Sequence, residues 1–278
     1  IYTELSIADR FTVDSGIYYS ATEKRVVLTP EEEKWITNNT VKVGVEQWAP
    51  IVFSDLAGNV QGLAGGFLDK VAKSTGLKFE IISDEWDPLL QGLKNKTIDL
   101  LPATYYTDER ATYGLYTDPY FFMREFVYVK DGNTKVKSIN DLADQRIAVV
   151  KGYGTIPKIR AKYPNATIVE TKDLLTSIDA VLNGDVAALM EAQMAVEQTI
   201  KTNSIIGLKG ISQNVFKASP VHFFSRNDEP LLQSILQKGL NAISEEERRE
   251  EMKKWISSAE TEREKLRLTP AEQSWLSR

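Results

Sequence analysis

The residues able to do chemistry here are chargeable groups suited to holding a ligand, not to attacking one. Arg110 carries a planar guanidinium fork that matches a carboxylate through two parallel hydrogen bonds. Gly152-Tyr153-Gly154-Thr155 is a glycine-rich turn between a strand pattern and a helix pattern. Backbone N–H groups in such a turn can hold an anionic oxygen, and the Thr155 hydroxyl stands beside them. Glu191 ends the apolar run Val186 to Met190, where a carboxylate is costly to bury without a cationic partner. A cation, an anion cradle and a carboxylate together suit a small zwitterion. Cys is absent and His222 is the single histidine, which excludes thiol catalysis, thiolate metal sites, disulfides and histidine clusters. No metal site and no cofactor is expected. Lys plus Arg number 34 against 39 Asp plus Glu, a net charge of −5, so neither nucleic acid nor an anionic membrane is an expected partner. No apolar run approaches the roughly 18 residues that span a bilayer, so no membrane insertion is expected within this chain.

These residues need a scaffold, and the hydropathy pattern supplies one. Val41 to Val45 alternates as a strand, Gly66 to Thr75 reads as a helix ending at Gly76, and Leu77 to Ile81 as a second strand. A helix from Trp86 to Asn95 and a third strand, Ile98 to Leu101, complete a βαβαβ order that calls for a parallel sheet. The order repeats with a strand at Arg146 to Val150, a helix stopping by Pro164, and a strand at Thr167 to Val169. A helix from Asp173 to Leu182 and a strand from Val186 to Met190 follow. Glu125 to Val129 and Val221 to Phe224 are extended stretches suited to joining two lobes. His222 reads as a hinge or core histidine, and Trp86 with Asp87 as helix packing plus an N-terminal charge.

One longer repeat is present. Leu28-Thr29-Pro30-Glu31 through Trp35-Ile36 returns as Leu268-Thr269-Pro270-Ala271-Glu272 through Trp275-Leu276. Each copy reads as a helix start, with Thr at N-cap, Pro at N1 and Glu at N3 closing a capping box. A module of about 240 residues is thus expected to begin near Leu28 and a second copy to start at Leu268. The expected division is an extension or tail of a preceding module at 1–27 and a first lobe at 28–128. A second lobe at 129–218, a return to the first lobe with a final helix capped by Ser244 at 219–256, and a linker with the start of the next repeat at 257–278 complete it.

Several motifs in this order resemble the bacterial extracellular solute-binding proteins, family 3. They are Val43-Gly44-Val45 with Trp48-Ala49-Pro50, Gly62 to Asp69, and Thr107-Asp108-Glu109-Arg110. Tyr116-Thr117-Asp118-Pro119-Tyr120 and Asp141-Leu142-Ala143 with Arg146, Val149 and Gly152 continue the series. The resemblance implies an α/β fold of the two-lobed periplasmic-binding-protein type, a type II Venus flytrap with a hinge of two crossover strands. It implies that Arg110 takes a ligand α-carboxylate and that Glu191 pairs with its amino group. Thr104, Tyr105, Tyr153, Gly154 and Thr155 would supply hydroxyl and backbone contacts, Trp48 would cover the ligand, and Glu46 would stand nearby. The sequence departs from transport-type members at Ala64 and Gly66, where acidic residues are usual. The repeated Leu-Thr-Pro motif is similar to flytrap modules strung in tandem ahead of sensor histidine kinases and diguanylate cyclases.

The expected function is therefore an extracytoplasmic, periplasmic sensor module of a membrane signalling protein, not an enzyme. It would bind an amino acid or small carboxylate by lobe closure, with an adjacent flytrap module or membrane signalling domains as partners. A receptor of an ABC amino-acid importer and a dehydratase-like enzyme on the same fold are the alternatives.

Overall fold

The computed structural model describes residues 26–211 and 215–265, with side chains up to 255. The second copy expected at Leu268, and all but the end of the 1–27 extension, lie outside the described residues. Thr29 starts α1 (Pro30–Asn38): its hydroxyl accepts the Glu32 amide at 3.3 Å while the Glu32 carboxylate accepts the Thr29 amide at 2.7 Å. That is the capping box expected from the sequence. The same carboxylate accepts from Lys238 at 2.6 Å, and its other oxygen from Ser234 at 2.7 Å, on α8 (Pro230–Ala242).

Two sheets form the two lobes. In the first, β1 (Val41–Val45) lies between β4 (Phe79–Ser83) and β5 (Leu100–Tyr105), all parallel, with α2 (Gly62–Thr75) and α3 (Trp86–Lys94) as the intervening helices. β2 (Phe53–Ser54) and β3 (Val60–Gln61) make a hairpin ahead of α2. β13 (Ser219–Arg226) adds antiparallel to β5, and β6 (Gly114–Tyr116) and β7 (Phe121–Met123) pair with β13. The one-turn helix α4 (Asp108–Ala111) sits between β5 and β6. In the second sheet β9 (Arg146–Val150) lies between β10 (Thr167–Thr171) and β11 (Ala188–Ala192), again parallel. β8 (Glu125–Lys130) adds antiparallel to β11, with β12 (Leu208–Ile211) outside it. The helices of this lobe are α5 (Thr155–Lys162), α6 (Leu174–Asn183) and α7 (Gln193–Thr202). Last comes α9 (Glu245–Lys265), started by Ser244 and Glu247 in a second capping box. The architecture is thus α/β and two-lobed, as expected.

Three elements differ from the pattern reading. α2 begins at Gly62 instead of Gly66, because the carbonyls of Pro50 and Ile51 accept the Leu63 and Ala64 amides at 2.9 and 2.8 Å. Those long-range bonds supply a start that Gly-Leu-Ala-Gly-Gly would not sustain alone. β11 is shifted two residues towards the C-terminus, which puts Glu191 inside the strand. β8, read as the end of the first lobe, is a central strand of the second sheet, so the chain first crosses at Arg124 and not at residue 128. It crosses back between Ile211 and Ser219.

Candidate functional site

Residues that follow the parallel strands of the two sheets meet in one cleft: Glu46 after β1, Trp86 after β4, Ala103 and Tyr105 in β5, and Tyr153 and Gly154 after β9. Trp48 and Arg110 complete the lining. This is where open α/β sheets place ligands. The cleft is shut, leaving a cavity of about 20 Å³, room for about one water.

Arg110 is held by local chemistry and then spent across the cleft. Thr107 caps α4 by accepting the Arg110 amide at 3.2 Å, which aims the side chain inwards. The guanidinium, 3 % exposed, donates to the Tyr105 carbonyl at 2.7 Å and, from the other nitrogen, to the Gly152 carbonyl of the second lobe at 2.6 Å. Trp86 lies 5.2 Å from it in cation–π geometry and donates Nε1–H to the same Gly152 carbonyl at 3.1 Å. The glycine turn thus presents a carbonyl to Arg110. Gly152 takes φ +76°, the left-handed region that glycine occupies without strain. At Gly154 a Cβ would sit 2.9 Å from the Tyr105 Cβ, so the lobes touch there through a missing side chain.

Tyr153 fills the middle. Its hydroxyl donates to Glu46 at 2.8 Å, and its ring meets Trp48 and Trp86 edge-on at 5.7 and 6.0 Å. Burial pushes the Glu46 carboxyl up to about 8, against the opposing hydrogen bond from Tyr153. Glu191 is 4 % exposed and lies just behind the lining; its charge bears on Tyr105 and Tyr153. Burial first, and then the nearby Glu46 and Glu125 carboxyls, raise its pKa well above the usual range, while the Ala192 amide bound at 2.6 Å opposes them. Trp48 Nε1 lacks an acceptor in bonding geometry, yet the indole stands close enough to Glu191 to favour the ionised carboxylate. The shut cleft therefore favours neutral carboxyls.

Of the expected site residues, Arg110, Tyr105, Trp48, Glu46, Tyr153 and Gly154 line one cavity, with Glu191 behind it. Thr104 and Thr155 do not line it. Thr104 Oγ1 turns back to the Leu101 carbonyl at 3.5 Å, because side chains alternate along β5 and its neighbours Ala103 and Tyr105 take the cleft face. Thr155 Oγ1 points to Glu125 at 3.4 Å. Trp86, read as helix packing, is a cleft residue; its place directly after a parallel strand was the available signal. Glu125 was also missed. It is 2 % exposed at the first crossing and accepts from Ser219 at the second crossing at 3.0 Å, with the Lys158 ammonium at 4.0 Å. A lone acid opening an apolar strand was its mark. His222 is a core histidine, with Nδ1 2.8 Å from the Thr117 carbonyl. Two ion pairs, Lys151–Asp87 at 2.6 Å and Lys172–Glu85 at 3.9 Å, close the mouth between lobes.

Comparison with known proteins places this geometry. A probable amino-acid ABC transporter-binding protein of Haemophilus influenzae is 27 % identical over 69 % of this chain and 75 % of its own. The virulence sensor protein BvgS of Bordetella pertussis is 23 % identical over 82 % of this chain, which spans only 19 % of that sensor. The crystal structure of the BvgS periplasmic VFT2 domain superposes with a TM-score of 0.74, covering 83 % of this chain and all of that one at 22 % identity. The profile of the bacterial extracellular solute-binding proteins, family 3, matches residues 41–258, and the chain belongs to that family of binding proteins.

Proposed function

We propose that the chain is an extracytoplasmic sensor module whose two lobes close on a small amino acid. The observation that carries this is the buried Arg110, bridging to a backbone carbonyl of the other lobe on one side of a cleft that holds Glu46 and Glu191 on the other. A ligand carboxylate suits the guanidinium better than two neutral carbonyls do, since it adds a full opposite charge and accepts two parallel bonds in the geometry of the fork. A ligand ammonium beside Glu191 and Glu46 would return them to their ionised forms by replacing the hydration lost on closure. Tyr153 must swing out for either contact to form, so binding begins from an open form and ends in a closed one. The family and the fold are of binding-protein type, and the cleft lining offers Arg110, tyrosine hydroxyls and the Glu46 carboxyl, groups suited to holding a zwitterion.

The likeness to both a transporter-binding protein and sensor proteins leaves an importer receptor as the second use of the same site. The repeat of Leu28 to Ile36 at Leu268 favours the sensor. The filled cleft also supports a module that rests closed without ligand, held by Tyr153 and the Gly152 carbonyl. A thermal-shift screen over the amino acids and their deaminated analogues tests both. A ligand at a hundred times its Kd stabilises by about 2.7 kcal/mol, an easily read shift. Stabilisation by an amino acid and not by its deaminated analogue supports the binding sensor; no shift across the whole panel sinks it and leaves the self-closed module.

A further inference from the structure

The last helix is too polar to hold its place by itself. α9 opens Glu245-Glu246-Glu247-Arg248-Arg249-Glu250, with no broad apolar stripe, and a helix in a protein draws most of its stability from packing such a face. It is nevertheless packed against α2 of the first lobe and α7 of the second. The attachments to the first lobe are specific. Glu251 is 8 % exposed, although Glu250 and Lys253 beside it are exposed. Its carboxylate lies over Gly66 of α2, so closely that a Cβ there would fall 1.9 Å from Oε1 and 2.1 Å from Cδ. Trp255 donates Nε1–H to Glu251 at 3.0 Å and meets Phe53 of the β2–β3 hairpin edge-on at 5.9 Å. Arg248 places its guanidinium 5.8 Å from the Phe67 ring and donates to the carbonyls of Leu240 and Ile243.

The missing side chain of Gly66 is the space the Glu251 carboxyl uses. We propose that α9 is a strap recording cleft closure, docked across both lobes through a notch at Gly66 that admits Glu251. The chain passes between the lobes at Arg124 and again ahead of Ser219, so opening of the cleft would part α2 from α7. A helix fastened to α2 cannot keep its contact with α7 when they part. Opening therefore frees α9 on one side, and, because linkage is reciprocal, releasing α9 must favour the open cleft by the same factor. The segment after α9 begins the repeat of Leu28 to Ile36, so the strap lies directly ahead of the next module-like sequence. The proposal concerns closure alone and holds whichever ligand the cleft takes, or none.

The test uses Gly66→Ala, whose methyl takes the space of the Glu251 carboxyl so that this flexible side-chain end must leave the notch, and the double variant Gly66→Ala/Glu251→Ala, which removes the overlap. Two readouts are taken without ligand: amide hydrogen exchange across Glu245 to Trp255, and the separation of dyes on Asn95→Cys and Asn165→Cys, one on each lobe of a chain that has no native cysteine. Gly66→Ala should speed exchange in α9 by at least tenfold and shift the dye pair to longer distances, with α8 unchanged. The double variant should return both readouts most of the way to the parent values. Unchanged exchange in Gly66→Ala shows that the notch does not dock the helix and overturns the proposal. Fast exchange with the lobes as closed as in the parent overturns it too, because the strap is then uncoupled from the cleft. A double variant that stays undocked and open removes the Glu251 collision as the cause and has the same consequence. Failure here leaves the ligand screen untouched, and a blank ligand screen leaves this result untouched.

Discussion

β5 and β11 occupy the same place in their sheets, each being the third parallel strand beside the first, yet they deliver opposite charges to the cleft in opposite states. β5 leads through Thr107 to Arg110, whose guanidinium is satisfied by the Tyr105 and Gly152 carbonyls. β11 carries Glu191, whose carboxyl is bonded by the next amide and pushed towards neutrality by burial. A buried guanidinium keeps its charge and must be given acceptors; a buried carboxyl can shed its charge by taking a proton. Arg110 therefore clamps the shut cleft at any pH, whereas Glu191 of the second lobe, like Glu46 of the first, is a group whose state depends on what enters.

The largest expected effect comes from removing the clamp. Arg110→Ala leaves the Gly152 carbonyl to Trp86 alone and should cost the closed form about 3 kcal/mol. Small-angle scattering should show an expanded particle, and any ligand-induced rise in Tm should vanish. A particle as closed as the parent would show that the carboxyl side, not the guanidinium, holds the lobes together.

Next is the pH response of the acidic side. Between about 4.5 and about 8 the folded chain keeps a proton on Glu46 that the unfolded chain has released. The folded state thus binds more protons across that window, so stability falls as pH rises through it and levels off above. Glu191, shifted the same way, adds to the slope. Tm should fall steadily across the window, and Glu46→Gln should flatten the curve. A Tm that rises with pH there would mean that both acids stay ionised in the shut cleft.

Selectivity sharpens the contrast further. An α-amino acid should bind at least tenfold tighter than its deaminated analogue, about 1.4 kcal/mol, and Glu191→Gln should narrow that ratio. Equal binding of both ligands by calorimetry would detach Glu191 from the ligand. The smallest effect belongs to the mouth: Lys151→Ala breaks an exposed, solvent-screened ion pair with Asp87 and should leave Tm nearly unchanged. A large loss there would shift the closing force from the cleft floor to its rim.

Much of this molecule was legible before its structure. Two rounds of strand and helix periodicity gave two parallel βαβαβ units, since apolar faces must be buried in that rhythm whatever surrounds them. Thr29 with Glu32 and Ser244 with Glu247 announced their helices, because a cap acts within one turn. Asp173 and Gly184 bracketed α6 for the same reason. What failed to read were features set from a distance. α2 starts at Gly62 only because the loop after Trp48 turns its carbonyls onto the helix. Trp86 and Glu125 joined the cleft and the crossings only when the second lobe closed upon them.

The sequence by itself determined the two sheets and the helix starts, which follow from local periodicity and capping, and its resemblance to the family singled out Arg110 and Glu191. Only the tertiary structure decided what those charges meet. Gly152 gives Arg110 a carbonyl acceptor, Tyr153 fills the cavity and takes Glu46 as its acceptor, and Gly66 opens a notch for Glu251. Each depends on groups far apart in the chain arriving within about 3 Å, and neither propensity nor spacing encodes such an approach.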